Sequence, residues 1–183
     1  MPDDTVRAAM SRSSEAFTRL VWPAIGPSFG TPIPVETVTT NPFARELDQR
    51  AGIDVWIVSV DGHMRGLASR VQWPHVDRSF DTFTVRVQSP RNRLTEYHKR
   101  RAEITHAGAI KPHYFCQAYV TLDNERLIAA AIARTADVIA AVDAGRGWHL
   151  PPNGDGSRGY AVPWDTFKTI RIVRRPEPVE ALF

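Results

Sequence analysis

Residues 46–72, ELDQRAGIDVWIVSVDGHMRGLASRVQ, constrain this chain more than any other stretch. Gly52 is a stop for a preceding helix, and IDVWIVSV after it is β-branched and almost wholly apolar. That composition fits a strand covered on both faces. Asp61-Gly62 is a hairpin signal. The returning segment alternates, with Leu67, Ser69, Val71 and Trp73 on one face and Ala68, Arg70 and Gln72 on the other. A hairpin of this kind must be extended by further strands and covered by helices, so the chain is expected to be an α/β (α+β) domain.

The flanking sequence supplies those elements. Residues 1–12 read as a flexible N-terminus and residues 13–183 as a single α/β domain, a size that one core can serve. A helix is expected from Ser13 or Ser14, with Phe17, Leu20, Val21 and Ile25 on one stripe, ending around Pro23 and Gly26. An extended piece follows at Val35–Val38. Asn41 caps the next helix, with Pro42 at its first position. DTFTVRVQ alternates, placing Phe83, Val85 and Val87 inward. Thr95 caps a helix through EYHKRRAEITHAG, which Gly108 stops. HYFCQAYVTL reads as a strand with a hairpin at Asp123-Asn124. RLIAAAIA is a strand or a short helical run. Thr135 caps a helix ending at Gly145, PPNGDGSRG is a surface loop, YAVPWDTF is a short strand-like piece and TIRIVRR a last strand.

Several function classes lose support at this level. Cys116 is the single cysteine, which excludes an internal disulfide and fits a reducing compartment. It sits in an apolar strand, as a buried small hydrophobe would. The longest apolar run, LIAAAIARTADVIAAV, is interrupted by Arg134 and Asp137, so no membrane span is expected. MPDDTVRAAMSRSSEAF lacks a basic-then-apolar leader pattern, and a cytoplasmic location is the expectation. There is no GxSxG, and GDGSRG lacks the lysine and helix of a phosphate-binding loop. His98, His106 and His113 do not follow a compact metal-ligand spacing. Trp56, Trp73, Trp148 and Trp164 fit core or edge packing.

Asp54 opens the first strand and Arg70 lies on a polar face of the second. A carboxylate and a cation on adjacent strands can hold a divalent metal and orient a water for phosphodiester hydrolysis. The helix–three strands–helix–strand order over residues 13–121, with LDQRAGID entering the first strand and GLASRVQ forming the second, resembles the PD-(D/E)XK nuclease superfamily. The resemblance implies a restriction-endonuclease-like core, a central mixed sheet flanked by helices, with DNA as substrate and Mg2+ or Mn2+ as cofactor. It places Asp54 at the metal-binding aspartate, Ala68-Ser69-Arg70 at the acidic-any-lysine motif, and Glu15 where some members carry a further acidic ligand. The chain departs from the motif at two positions. Alanine cannot ligate a metal, and the Arg70 guanidinium keeps its charge but is a poor proton shuttle. Gln72, two residues on, could supply an oxygen ligand. The catalytic set implied is therefore Asp54, Arg70 and Gln72, with Asp54 and Glu15 on the metal. Two alternatives stay open. The site has migrated, drawing on Glu15, Asp48, Gln72 or Glu96, or the domain is a catalytically inactive module that binds nucleic acid or a protein partner. Asp54 also fits a simple strand start, with Arg70 as its ion-pair partner, and Glu15 fits a helix-start acid.

A second constellation is basic. Arg86, Arg91, Arg93, Lys99, Arg100 and Arg101 surround the single acid Glu96, and Lys111 follows. Such a run can line a phosphate backbone, or it can be a solvated helix face. Arg86, Arg91, Arg93, Lys99, Arg100 and Lys111 are the nucleic-acid-binding candidates, and Gln117 and Tyr119 could extend a polar groove. A homodimer or a partner protein is compatible with the same surface.

Overall fold

The structure is a computed structural model that describes residues 11–35, 52–59, 61–76, 78–89, 94–106 and 110–174. The helix expected after Asn41 lies outside them, with Asp48, as do Arg91 and Arg93.

Helix α1 runs over residues 11–25. Strands β1 (Thr31–Pro34), β2 (Val55–Val58), β3 (Met64–Gln72) and β4 (Thr82–Gln88) follow. Helix α2 (Glu96–Thr105) then leads to β5 (Pro112–Val120), β6 (Leu127–Arg134) and helix α3 (Thr135–Asp143). The chain closes with β7 (Trp148–His149), β8 (Arg158–Pro163), a 3-10 turn at Trp164–Thr166 and β9 (Ile170–Arg174). Six strands form a mixed sheet in the order β1-β2-β3-β5-β6-β9, in which only β3 and β5 are parallel. The other three form a small antiparallel sheet, β4-β8-β7.

Strand parity sets the two layers around the large sheet. Leu67, Val71, Cys116 and Ala118 face α1 and bury Ala16, Phe17, Val21 and Ile25 against it. Ala68, Phe115, Tyr119, Ala129 and Ala131 point the other way, onto Val138 and Ile139 of α3, Phe83 and Val85 of β4, and Trp164. The α+β class and the central mixed sheet with helices on both faces are as expected. The alanine run RLIAAAIA is a strand because β5 and β9 occupy both of its edges. Its small side chains let cover approach from both sides.

Residues 36–38 of the extended piece expected at Val35–Val38 lie outside the described residues. A strand that the sequence did not announce forms at Thr31–Pro34, and its prolines are tolerated because β1 is an edge strand. Because β3 is flanked by β2 and β5, strand β4 pairs with β8 in the second sheet. Thr95 is the N-cap residue of α2, as expected, though its hydroxyl meets His98 Nδ1 at 2.6 Å and not a backbone N–H. Thr135 is the first residue of α3 rather than its cap, and its hydroxyl is buried without a partner among the described residues.

Helix α1 runs through Pro23 rather than stopping there. Its Phe17–Val21 segment is π-helical, and the Trp22 N–H bonds Phe17 O five residues back. Proline lacks a donor and its ring crowds the carbonyl four residues earlier, and the widened turn relieves that clash. Both expected hairpins form, with Gly62 (φ 78°) and Asn124 (φ 63°) in the left-handed region that such turns need. No helix among the described residues is long and apolar enough to cross a membrane.

Candidate functional site

Alternation along β3 carries Ala68, Arg70 and Gln72 to the sheet face opposite α1. The parallel register sets Phe115, Gln117 and Tyr119 of β5 beside them in the same order. Arg70 is thus the cross-strand neighbour of Gln117, and Gln72 of Tyr119. The second sheet and the start of α2 lie over these residues.

Glu96, in the first turn of α2, reaches down to this face. Its Oε2 accepts a 2.7 Å bond from Arg70 Nη2 and a 3.3 Å bond from the Arg86 backbone N–H. The pair is partly sheltered, with side-chain exposures of 29% and 19%. The remaining N–H groups of Arg70 have no hydrogen-bond partner among the described residues. Gln117 is fully buried. Its Oε1 accepts the Thr84 N–H at 3.3 Å, while its Nε2 has no partner among the described residues. A buried amide without an acceptor forfeits about 1–3 kcal/mol. Next along β5, the Tyr119 hydroxyl donates to Thr82 O at 3.1 Å, and burial holds it above the ordinary phenol value. Two donors, one charged and one neutral, therefore share one polar face.

Asp54 is placed differently from the expected Asp54–Arg70 pair. Its Oδ2 accepts the Ser69 N–H at 2.6 Å, and its main chain bonds Leu67 O and the Val35 N–H. The carboxylate thus fastens the lead into β2 onto β3. Glu15 is exposed on α1, whose buried residues Ala16 and Phe17 face the opposite side of the sheet from Arg70. No three His, Cys, Asp or Glu residues among those described stand together as a metal site. Ala68 offers no donor, Glu96 is neutralised by Arg70, and Glu15 is on the other layer. The described donor set does not fit Mg2+ or Mn2+.

The basic candidates also separate. Arg86 is exposed, and Lys99 is partly exposed on α2. Arg100 is inside, 5% exposed, and donates to Gly52 O at 2.6 Å and to Glu103 at 3.3 Å. Lys111 reaches the Glu103 carbonyl at 3.4 Å. Burial raises the Glu103 carboxyl above its ordinary value, against the opposing pull of Arg100. Arg100 is therefore a structural cation. The second exposed charge on α2, Arg101, pairs with Asp143 at 3.5 Å.

Beside this region, His113 Nδ1 accepts the Gly66 N–H at 3.2 Å. Burial first, then the charges of Arg65 and Lys111, hold the imidazole below its ordinary value of 6.5. A depressed histidine stabilises the fold when neutral, and that contribution is lost as pH falls below 6.5 toward the lower folded value. Urea midpoints measured at pH 7.5 and pH 5.5 are expected to drop more for the wild type than for His113→Asn.

Of the expected residues, the structure gathers Arg70, Gln72 and Glu96 on one face with Gln117 and leaves Glu15 and Arg100 elsewhere. Gln117 is fully buried and joins β5 to β4 through the Thr84 N–H. A glutamine at an inward position of an otherwise apolar strand was the available clue. Comparisons with protein-family models, with curated proteins and with solved structures give no match to this chain.

Proposed function

We propose that the chain is a restriction-endonuclease-like domain that binds nucleic acid, DNA foremost, through the face carrying Arg70, without hydrolysing it. The observation that carries this reading is the Arg70 guanidinium, 29% exposed and held by Glu96, whose remaining N–H groups have no partner among the described residues. A phosphodiester offers acceptor oxygens to those N–H groups, and a guanidinium already oriented by Glu96 loses little freedom on binding. In a metal-dependent nuclease a divalent cation neutralises the carboxylates. Here Arg70 supplies a fixed positive charge to Glu96. Arg86 and Lys99 lie on the same side, through β4 and α2, and suit contacts to flanking phosphates.

Binding of a labelled DNA duplex by fluorescence anisotropy tests this proposal. Arg70→Gln removes the positive charge while leaving a donor for Glu96, and an unchanged urea midpoint reports that the fold is kept. Affinity is expected to fall about tenfold, equivalent to about 1.4 kcal/mol. The Arg86→Ala, Lys99→Ala double variant is expected to lower the salt slope by about 1–2, at roughly 0.9 per phosphate contact. Undiminished affinity in Arg70→Gln would remove this face from the interface.

A further inference from the structure

We infer a second ligand site, for a nucleoside phosphate, on the opposite face of the large sheet. A cavity of about 400 Å³ opens there at the end of β5, β6 and β9, among Phe29, Tyr114, Ile132, Arg134, Lys168 and Arg171. Antiparallel pairing builds it. Tyr114 lies across from Arg134 and Ile132 across from Arg171, so an aromatic ring, two guanidiniums and an apolar floor share one face. The volume lies within the roughly 300–1,000 Å³ range of small-molecule sites.

Its chemistry is selective. Among the described residues three cations line it and no carboxylate does. Arg134 and Lys168 have no acidic partner among the described residues, and Arg171 is braced by the Ser28 hydroxyl. Nearby, Arg65 donates from Nη1 to the Tyr114 hydroxyl at 3.4 Å, but its charge is met by Asp61 at 3.9 Å. Uncompensated charge converging on a concavity calls for a multiply charged anion such as a phosphate. Part of the lining is aromatic. Phe29 and Tyr114 meet edge-on, with centroids 5.4 Å apart and planes at 74°, and together with Ile132 they offer apolar surface to a flat heterocycle. Phosphate plus planar base is a nucleotide, either free or as the phosphorylated end of a strand. Because this pocket lies on the α1 side of the sheet, it stands independently of the Arg70–Gln117 face.

Calorimetric titration of the full chain with AMP, with inorganic phosphate, and with a tetranucleotide bearing or lacking a 5′-phosphate tests the inference. Saturable one-to-one binding of AMP is expected, tenfold or more tighter than inorganic phosphate. It is expected to weaken at least tenfold in the Lys168→Ala, Arg171→Ala double variant and in Arg134→Ala. All substituted cations are exposed, and unchanged melting temperatures report that the fold is kept. Preference for the 5′-phosphorylated tetranucleotide over AMP assigns the site to a strand end, and the reverse preference to a free nucleotide. The inference is overturned if neither AMP nor the phosphorylated tetranucleotide binds at millimolar concentration. Inorganic phosphate binding as tightly as AMP, or AMP affinity surviving both cation variants, overturns it too.

Discussion

Phe83→Ala is expected to cost about 3–5 kcal/mol, enough to unfold the domain or bring it close to unfolding. Phe83 is fully buried, and its ring meets Phe115 at 5.7 Å, Trp164 at 6.2 Å and Phe167 at 5.4 Å between centroids. Those partners belong to β5 of the large sheet, to the 3-10 turn after β8, and to the residue that follows that turn. The ring is therefore the main joint between the two sheets, and alanine would leave a void bounded by rigid aromatic groups that relax poorly. Thermal or urea unfolding of the variant checks the size of the loss. Phe83→Leu fills most of the space and is expected to recover more than half of it.

Arg100→Ala is expected to destabilise by about 3 kcal/mol, because it strips the buried Glu103 of its cation and Gly52 O of its donor. Side-chain exposures of 6% and 14% leave little solvent to compensate. The bond to Gly52 O ties α2 to the segment leading into β2, two residues before Asp54. Loss of Arg100 is thus expected to loosen that lead without removing a phosphate contact. DNA affinity of the folded variant, measured well below its unfolding midpoint, is expected to stay within about twofold of wild type, a change of about 0.4 kcal/mol. A large fall in affinity at full folding would return Arg100 to the interface.

Arg100 also marks where sequence reading stops. A run such as EYHKRRAEIT fixes the helical period and the charge, but the helix has no strong apolar stripe to say which side turns inward. Tertiary packing decided that Arg100 goes in and that Arg101 stays out. Parity on a strand is a stronger constraint. The alternation of GLASRVQ placed Leu67 and Val71 against α1 and Ala68, Arg70 and Gln72 on the other face, as found. The hairpins were legible because Asp61-Gly62 and Asp123-Asn124 contain residues that accept positive φ. Which strands pair was not legible. Nothing local tells β4 that both edges of β3 are occupied, so the second sheet emerges only from the whole chain. The same holds for the partner of Arg70. Asp54 is nearer along the hairpin, yet the Ser69 N–H claims its Oδ2, and Glu96 arrives from a helix 26 residues away in sequence.

The central claim is that a protein cation, Arg70, takes the place of a metal on a nucleic-acid-binding face. Duplex binding and strand cleavage measured together in EDTA, in Mg2+ and in Mn2+ at fixed ionic strength test it most directly. Equal affinity with and without the metals, reduced by Arg70→Gln, and no cleavage in any condition are expected. Affinity that requires Mg2+ or Mn2+, with cleavage abolished by Asp54→Ala, would contradict it and establish metal-assisted hydrolysis at Asp54 instead.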